Sequence, residues 1–494
     1  MGIENRIFNK DLLSKITTAD EAAKLIKDGM IVGASGFTPC GYPKCVPLAL
    51  AKRIKEGEKI RIGLYTGASV GVELDEALAE VNAISKRLPY QTGKIINKRI
   101  NDGDMLYLDI HLSQSAQQLR YGFLGKMDVC IVEAVCIMEN GGIVPSTSVG
   151  NTPTFIQEAD KVIVEINTSQ PMELVGMSDI FIPADPPVRH PIPITDVSQR
   201  IGTPYMPCDP RKIVAIVECD ITDKTRPLGA LDEESKAMAS HLIDFLKSVY
   251  GNKLPPLQSG VGDVANAVMA GLVHSDFENL KCWTEVIQDS MLDLIDIGKL
   301  TAVSGTSLSP SPDGLKRFYD KIKEYRNKIV LRPQEISNNA EMARRLGVVA
   351  MNTALEVDIY GNSNSTHMFG TRMVNGIGGS GDFSRNAGLT VMLTPSVAKR
   401  GAISRVVPHV AHYDHTEHEI HVIVTEQGVA DLRGLDPKEK VPVIIEKCAH
   451  PDYRDMLWDY YNRAKKEVGG HIPMLLDEAY SWHVRFNETG TMKM

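Results

Sequence analysis

A chain of 494 residues, 43% apolar and 23% charged, has material for the cores of two or three ordinary domains and no biased tract that would leave it disordered. A formal charge of −8 denies it a broad basic face, which excludes nucleic acid or an anionic membrane as main partner while leaving room for one local cationic pocket. No apolar run approaches the roughly 20 residues that span a bilayer, and the opening MGIENRIFNKDLLSK lacks both the apolar core of an export signal and, with Arg6 where Ser or Thr is wanted, a myristoylation signal, so a cytoplasmic protein is expected.

In chain order, Thr18-Ala-Asp-Glu is a capping-type start for a helix over EAAKLIKDG, stopped by Gly29, and MIVGASGF then reads as a buried strand ending in a glycine turn. KCVPLALAKRIKEG is an amphipathic helix. KIRIGLYTG, KMDVCIVEAV and ADKVIVEIN are short β-branched runs, and their alternation with helical segments marks α/β units around a mainly parallel sheet. The passage from Phe181 to Pro210 holds too many prolines for an interior strand or helix and reads as a crossover between domains. After KIVAIVECD the alternation resumes: a helix over DEESKAMASHLIDFLKSVYG, a glycine turn opening a helix in LQSGVGDVANAVMAGL, strand then helix in LKCWTEVIQDSMLDLIDIG, and further strands in KLTAVSG, LTVMLTPS and HEIHVIV. The expected architecture is two α/β domains, 1–220 and 221–494. The eight cysteines, at 40, 45, 130, 136, 208, 219, 282 and 448, include no Cys-x-x-Cys pair and read as free, mostly buried thiols.

Two glycine-rich stretches invite a ligand. Gly376-Ile-Gly378-Gly379-Ser-Gly381 fits the dinucleotide expression, but no buried strand precedes it and residues 396–406 supply no acid, so a structural turn or an N–H donor for a developing oxyanion fits its context better. Gly260-Val261-Gly262, opening the helix that carries Asn266, presents orphan N–H groups and a positive dipole end to an anion, although many such turns use Gly for shape alone. An oxyanion donor needs a nucleophile. In KCWTEVIQDS, period-two alternation sends Glu285 to the same face as Trp283 and Ile287; it is either a carboxylate at the rim of a half-exposed strand or one whose burial is tolerated for function. The histidines at 409, 412, 415, 418 and 421, with Asp414, match no metal-binding spacing, and a polar hydrogen-bonded turn is the simpler reading.

Taken together, WTEVIQD, LQSGVGDVANAV, LRPQEISNN, EVDIYGNSNSTH, NGIGGSGDFSRNA, VVPHVAHYDHTEHEIHVIVTEQGVADLRGL, SGFTPCGYPK, LYTGAS and GNTPTF resemble the acetyl-CoA hydrolase/transferase family, in order and over nearly the whole chain. The resemblance implies a class I CoA-transferase: two related open α/β domains with the active site in the cleft between them, usually a homodimer, acting on acyl-CoA and short carboxylates, with coenzyme A as substrate and no permanently bound cofactor or metal. Residue by residue it implies Glu285 as catalytic glutamate, Asn338 and the Gly379 amide as oxyanion hole, and Glu426 as a second active-site carboxylate. Gly260, Val261, Gly262, Asn266 and Gly378 match segments that contact CoA. Ser69 and Thr92 resemble hydroxyl residues of a carboxylate subsite, with Arg226 as its cation and Lys224 or Arg211 as alternatives. Cys40 departs from the alanine usual in that motif. An acyl-CoA hydrolase using the same Glu285 is the alternative, as is, more remotely, a non-catalytic CoA- or nucleotide-binding regulator.

Overall fold

A computed structural model describes residues 2–260 and 262–494. The chain forms two compact units: the first takes in the chain up to Pro227, Lys281–Ile295 and Leu300–Leu346, the second Leu228–Leu280, Asp296–Lys299 and Gly347–Met494. This differs from a single cut at 220/221, and the reason is backbone pairing across a long stretch of sequence. The Val149 N–H donates to the Thr306 carbonyl (2.9 Å) and the Leu308 N–H to the Thr147 carbonyl (2.8 Å), so the 300–346 segment is knitted into the N-terminal unit.

The first unit is built on strands β1 (Ile16–Thr17), β2 (Ile31–Ala34), β3 (Ile62–Tyr65), β4 (Ile84–Leu88), β5 (Leu106–Tyr107), β6 (Val129–Ile137), β7 (Ile143–Pro145), β8 (Lys161–Asn167) and β9 (Ile213–Cys219). Their order is β1-β9-β8-β6-β2-β3-β4-β5, all parallel, with β7 antiparallel on β6. Val32 stands in register with Leu64 on one side and Val129 on the other. Every residue of β6, VCIVEAVCI, is buried, as a strand covered on both faces requires, and each large aliphatic there contributes about 1.5–3 kcal/mol. The chain runs outward from β2 to β5 and returns beside β2 as β6. The carboxyl ends of β2 and β6 are therefore a topological switch point, where open α/β sheets hold their ligands.

The Cys45–Lys55 helix follows its pattern, but the helix expected over EAAKLIKDG is regular only over Ala19–Ala23. Thr18 Oγ1 caps the Glu21 N–H (3.2 Å), and tight turns carry the chain on to Gly29, whose φ of +79° ends it. The proline-rich passage has no helix or ladder, as its prolines dictate, yet it is not the crossover: it stays in the first unit, where its carbonyls and carboxylates hold Arg345, Lys281 and Arg120. The crossover is the following stretch, after β9. It is pinned by Asp223, which with Glu133 flanks the fully buried Lys44 ammonium (2.9 Å to Asp223) and accepts from Thr147 Oγ1 (2.6 Å). Burial opposes that charge, but the two carboxylates raise the Lys44 pKa above its ordinary value.

In the second unit, strands β10 (Leu257–Ser259), Val349–Thr353, Leu389–Leu393 and Val422–Thr425 run parallel and Gly428–Asp431 returns antiparallel. The strand expected over HEIHVIV begins only at Val422, because His421 turns its ring nitrogen onto the Thr390 N–H. Helices Glu233–Tyr250, capped by Asp232, and Asp263–Val273 pack on this unit, and all eight cysteines are free thiols.

Candidate active site

The strand expected through Glu285 is interrupted where the carboxylate sits. Strand β11 (Leu280–Trp283) stops short, β12 covers only Val286–Ile287, and Glu285 stands in the gap. Its carbonyl accepts from the N–H groups of Thr306 (2.8 Å) and Ser307 (3.0 Å), where β13 (Leu300–Gly305) gives way to β14 (Ser307–Leu308). Gly305 admits that approach, since a Cβ there would lie 3.0 Å from the same oxygen. The simple alternation expected of Trp283, Glu285 and Ile287 does not survive the break: Trp283 and Ile287 are fully buried and Glu285 is half-buried. Asn338 Nδ2 donates to Glu285 Oε1 at 2.5 Å. Burial pushes the carboxyl up to about 7, against the lowering effect of the Asn338 bond.

Asn338 is mounted as firmly. It ends the short helix Gln334–Ser337, its N–H donating to the Gln334 carbonyl (3.0 Å), and its Oδ1 accepts from Ser337 Oγ (2.8 Å). Trp283 Nε1 donates to the Ser337 carbonyl (2.8 Å), tying the end of β11 to this turn. The Trp283 ring lies 5.3 Å from the Arg332 guanidinium, which in turn holds Ser304 Oγ (2.7 Å) and Asp179. Glu335, also buried, pairs with Arg120 (2.8 Å) and Arg189 (2.7 Å). Glu285 and Asn338, both expected at the site, are thus brought together, beside Ser337, Arg332, Gly305 and Thr306, which were not expected there; the dense Arg-Pro-Gln-Glu run before Asn338 was the available signal.

The switch point of the first sheet adjoins this turn. Ser307 Oγ donates to the Phe37 carbonyl (2.7 Å) in the loop after β2, and Phe37, Ala68, Leu112 and Val286 share an apolar cluster against which Tyr90 packs. The loops after β2, β3 and β4 thus converge beside the residue that follows Glu285. Ser69, next to Ala68, is buried in a loop clamped by Arg87, which donates to the Ala68 carbonyl (3.0 Å) and pairs with Asp75 (3.1 Å). Arg226 Nη2 donates to Thr92 Oγ1 (3.2 Å) from an exposed position. The alternative cations are engaged elsewhere: Lys224 with Glu73, and Arg211 with Asp209 (2.6 Å). Cys40 is fully buried, and burial raises its thiol pKa.

In the second unit, Gly260 follows strand Leu257–Ser259 and Gly262, at φ +126°, opens the helix bearing Asn266; Val261 lies outside the described residues. Gly378 has φ +57°, whereas Gly379, at φ −91°, is the N-cap of Ser380–Ser384. Ser380 Oγ lies within hydrogen-bond reach of the Ile377 carbonyl (2.7 Å) and of His415 Nε2 (3.0 Å), contacts that anchor the glycine turn. Glu426 follows strand Val422–Thr425 and accepts from the Ser396 N–H (2.8 Å), Ser396 Oγ and Gln427 Nε2 (3.0 Å). Burial would raise its pKa, but these bonds hold it below the ordinary carboxylate value. The remaining histidines diverge. Burial pushes His409 down to about 4 against Tyr360, the His412 ring lies tilted 3.9 Å from that of His367, and His418 is exposed. Among the described residues, Cys45, Glu165 and Cys219 have metal-like proximity, but both Glu165 oxygens already accept the N–H groups of residues 44–46.

Residues 3–218 match the acetyl-CoA hydrolase/transferase N-terminal domain and residues 314–461 its C-terminal domain. The chain belongs to the acetyl-CoA hydrolase/transferase family. It is 57% identical to the succinyl-CoA:acetate CoA-transferase of Clostridium kluyveri, over 99% of this chain and 92% of that one. It is 45% identical to the acetyl-CoA hydrolase of Yarrowia lipolytica, over 100% and 99%. In fold it is similar to the crystal structure of RipA from Yersinia pestis, with a TM-score of 0.73 at 24% identity over 94% of this chain and 99% of that one. Ser69 and Thr92 fall within the family's N-terminal match, and Asn338, Gly378, Gly379 and Glu426 within its C-terminal match. Arg226, the Gly260–Asn266 turn and Glu285 lie in the stretch between.

Proposed function

We propose that this protein is an acyl-CoA:carboxylate CoA-transferase that moves coenzyme A between a short acyl-CoA (succinyl-, acetyl- or propionyl-CoA) and a free short carboxylate. The observation that carries the reading is Glu285: a half-buried carboxylate, fixed through its own backbone and met at 2.5 Å by an amide N–H, in a chain 57% identical to a named CoA-transferase.

In the proposed mechanism the Glu285 carboxylate attacks the thioester carbonyl, and Asn338 Nδ2 with the Gly379 amide receives the developing oxyanion, donors worth about 3–4 kcal/mol each when preorganised. The C–S bond breaks, leaving a mixed anhydride and CoA thiolate. The thiolate attacks the glutamyl carbonyl, releasing the first carboxylate and leaving a glutamyl-CoA thioester. The acceptor carboxylate attacks that thioester to form a second anhydride, whose acyl carbon is taken by the returning thiolate. Both nucleophiles are anions, so the sequence calls for no metal and no general base. We assign CoA contacts to Gly260, Val261, Gly262, Asn266 and Gly378, an active-site role to Glu426, and recognition of the acceptor carboxylate to Ser69, Thr92 and Arg226. The Arg226–Thr92 hydrogen bond and the clamped Ser69 loop support the last assignment. A cytoplasmic homodimer belongs to the same reading.

A hydrolase would resolve the glutamyl-CoA thioester with water instead, as the name of the Yarrowia lipolytica relative suggests for that protein. Incubation with succinyl-CoA followed by borohydride should reduce Glu285 alone to the alcohol, read by peptide mass spectrometry, while acetate should exchange into acetyl-CoA faster than thioester is lost without it. Exchange by a Glu285→Ala protein would sink the assignment; thioester loss indifferent to added carboxylate would favour the hydrolase.

A further inference from the structure

We propose that Ser337 is a positioning residue: its hydroxyl, by donating to Asn338 Oδ1, fixes which end of the Asn338 amide faces Glu285. The inference rests on the proposed function above and deepens it. A carboxamide is nearly symmetric in shape, so packing alone holds its two orientations almost equally well, and hydrogen bonds must choose between them. Ser337 is fully buried, and its hydroxyl has two acceptors in reach, Asn338 Oδ1 at 2.8 Å and the Gln334 carbonyl at 3.4 Å. The Gln334 carbonyl, which also receives the Asn338 N–H (3.0 Å), has a lone pair to spare but stands at 3.4 Å, against 2.8 Å for Oδ1, and the Ser337 carbonyl is held by the Trp283 indole (2.8 Å). The short bond to Oδ1 therefore takes the hydroxyl proton, and Nδ2 is left pointing at Glu285 Oε1, 2.5 Å away.

The orientation matters at two moments. With Nδ2 forward, the amide stabilises the ionised carboxylate and can meet the acyl oxygen when it becomes negative. With Oδ1 forward, the amide instead accepts a hydrogen bond from the protonated Glu285 carboxyl, stabilising the form that cannot attack. Losing the Ser337 hydroxyl lets the protonated enzyme turn the amide over, so two changes appear together: more Glu285 stays protonated at a given pH, and fewer molecules present an N–H to the acyl oxygen.

The experiment compares Ser337→Ala, Ser337→Cys (which keeps volume without a strong O–H donor), Asn338→Ala and the Ser337→Ala/Asn338→Ala double variant in the full-length enzyme, measuring kcat and KM for succinyl-CoA with acetate across pH. Both Ser337 variants should lose about tenfold in kcat with KM for succinyl-CoA nearly unchanged, and the acid limb of the profile should move up by about half a pH unit. The double variant should be no slower than Asn338→Ala alone, because Ser337 acts only through that amide. Losses that multiply in the double variant, or a fall in kcat with an unmoved acid limb, would overturn the inference while leaving the glutamate mechanism intact. Wild-type turnover in Asn338→Ala would overturn both.

Discussion

In the proposed mechanism Glu285 attacks as an anion in a place where burial favours its neutral form, and that conflict has a measurable cost. Its pKa rises to about 7 from an unfolded value near 4.5, so the folded state holds the proton more tightly than the unfolded chain does. Stability tied to this group is fully present below about pH 4.5 and is lost as pH rises through 7, the reverse of a salt-bridged carboxylate. Glu285→Gln keeps an acceptor for Asn338 and never ionises. It should be more stable than the native protein at pH 8 by on the order of 3 kcal/mol, the difference fading toward pH 5, as urea unfolding at both values would show. Equal stabilities at pH 8 would mean the carboxylate is solvated. The residue was legible in the sequence because a carboxylate between Trp283 and Ile287 is out of place. Its partners were less so: nothing in the local pattern says that Trp283 reaches the Ser337 carbonyl 54 positions on.

At the scale of elements, the two adjoining glycines of the 376–381 turn have different reasons to be glycine. Gly378 sits at φ +57°, which a side chain disfavours, whereas Gly379 at φ −91° is in a region open to any residue. Gly378→Ala should cost about 1–2 kcal/mol of stability through backbone strain and reduce the rate of the first acyl step, checked by denaturant unfolding and single-turnover thioester loss. An unstrained, fully active Gly378→Ala protein would show that the turn tolerates another conformation. Most helices and strands were readable from periodicity, caps and glycine stops, Asp232 and Gly251 bounding one long helix as their types suggest. The failures share a cause: the break at Glu285 and the late start of the Val422–Thr425 strand are imposed by hydrogen bonds from Thr306, Ser307 and Thr390, distant in sequence.

On the scale of the molecule, the chain enters the second unit after Pro227, returns at Lys281, makes a brief excursion over Asp296–Lys299 and leaves again after Leu346. The N-terminal segment therefore shares its backbone bonding with later parts of the chain. A fragment of residues 1–220 loses the partners of Thr147, Val149 and Gly150, whose backbone bonds run to Leu308, Thr306 and Gln334, and it should lack the cooperative urea transition that the intact chain shows by circular dichroism. A sharp transition in that fragment would mean that the first sheet holds its shape unaided. The order of motifs along the chain was readable from the residues, whereas this interleaving was not, because composition and periodicity carry no information about which distant turns exchange backbone bonds.

Asp223 bears on any attempt to change which acid the enzyme accepts. The guanidinium proposed for the acceptor stands only three positions beyond a carboxylate locked against Lys44 in the interior, so on that proposal Arg226 is tethered by a short leash staked inside the protein. Grafting the 224–230 stretch of a relative onto this scaffold would shift the cation's reach only within that radius. On the same proposal, Asp223→Asn should set it adrift, broadening substrate choice as rate falls, which assaying succinyl-CoA against a panel of short acids would show.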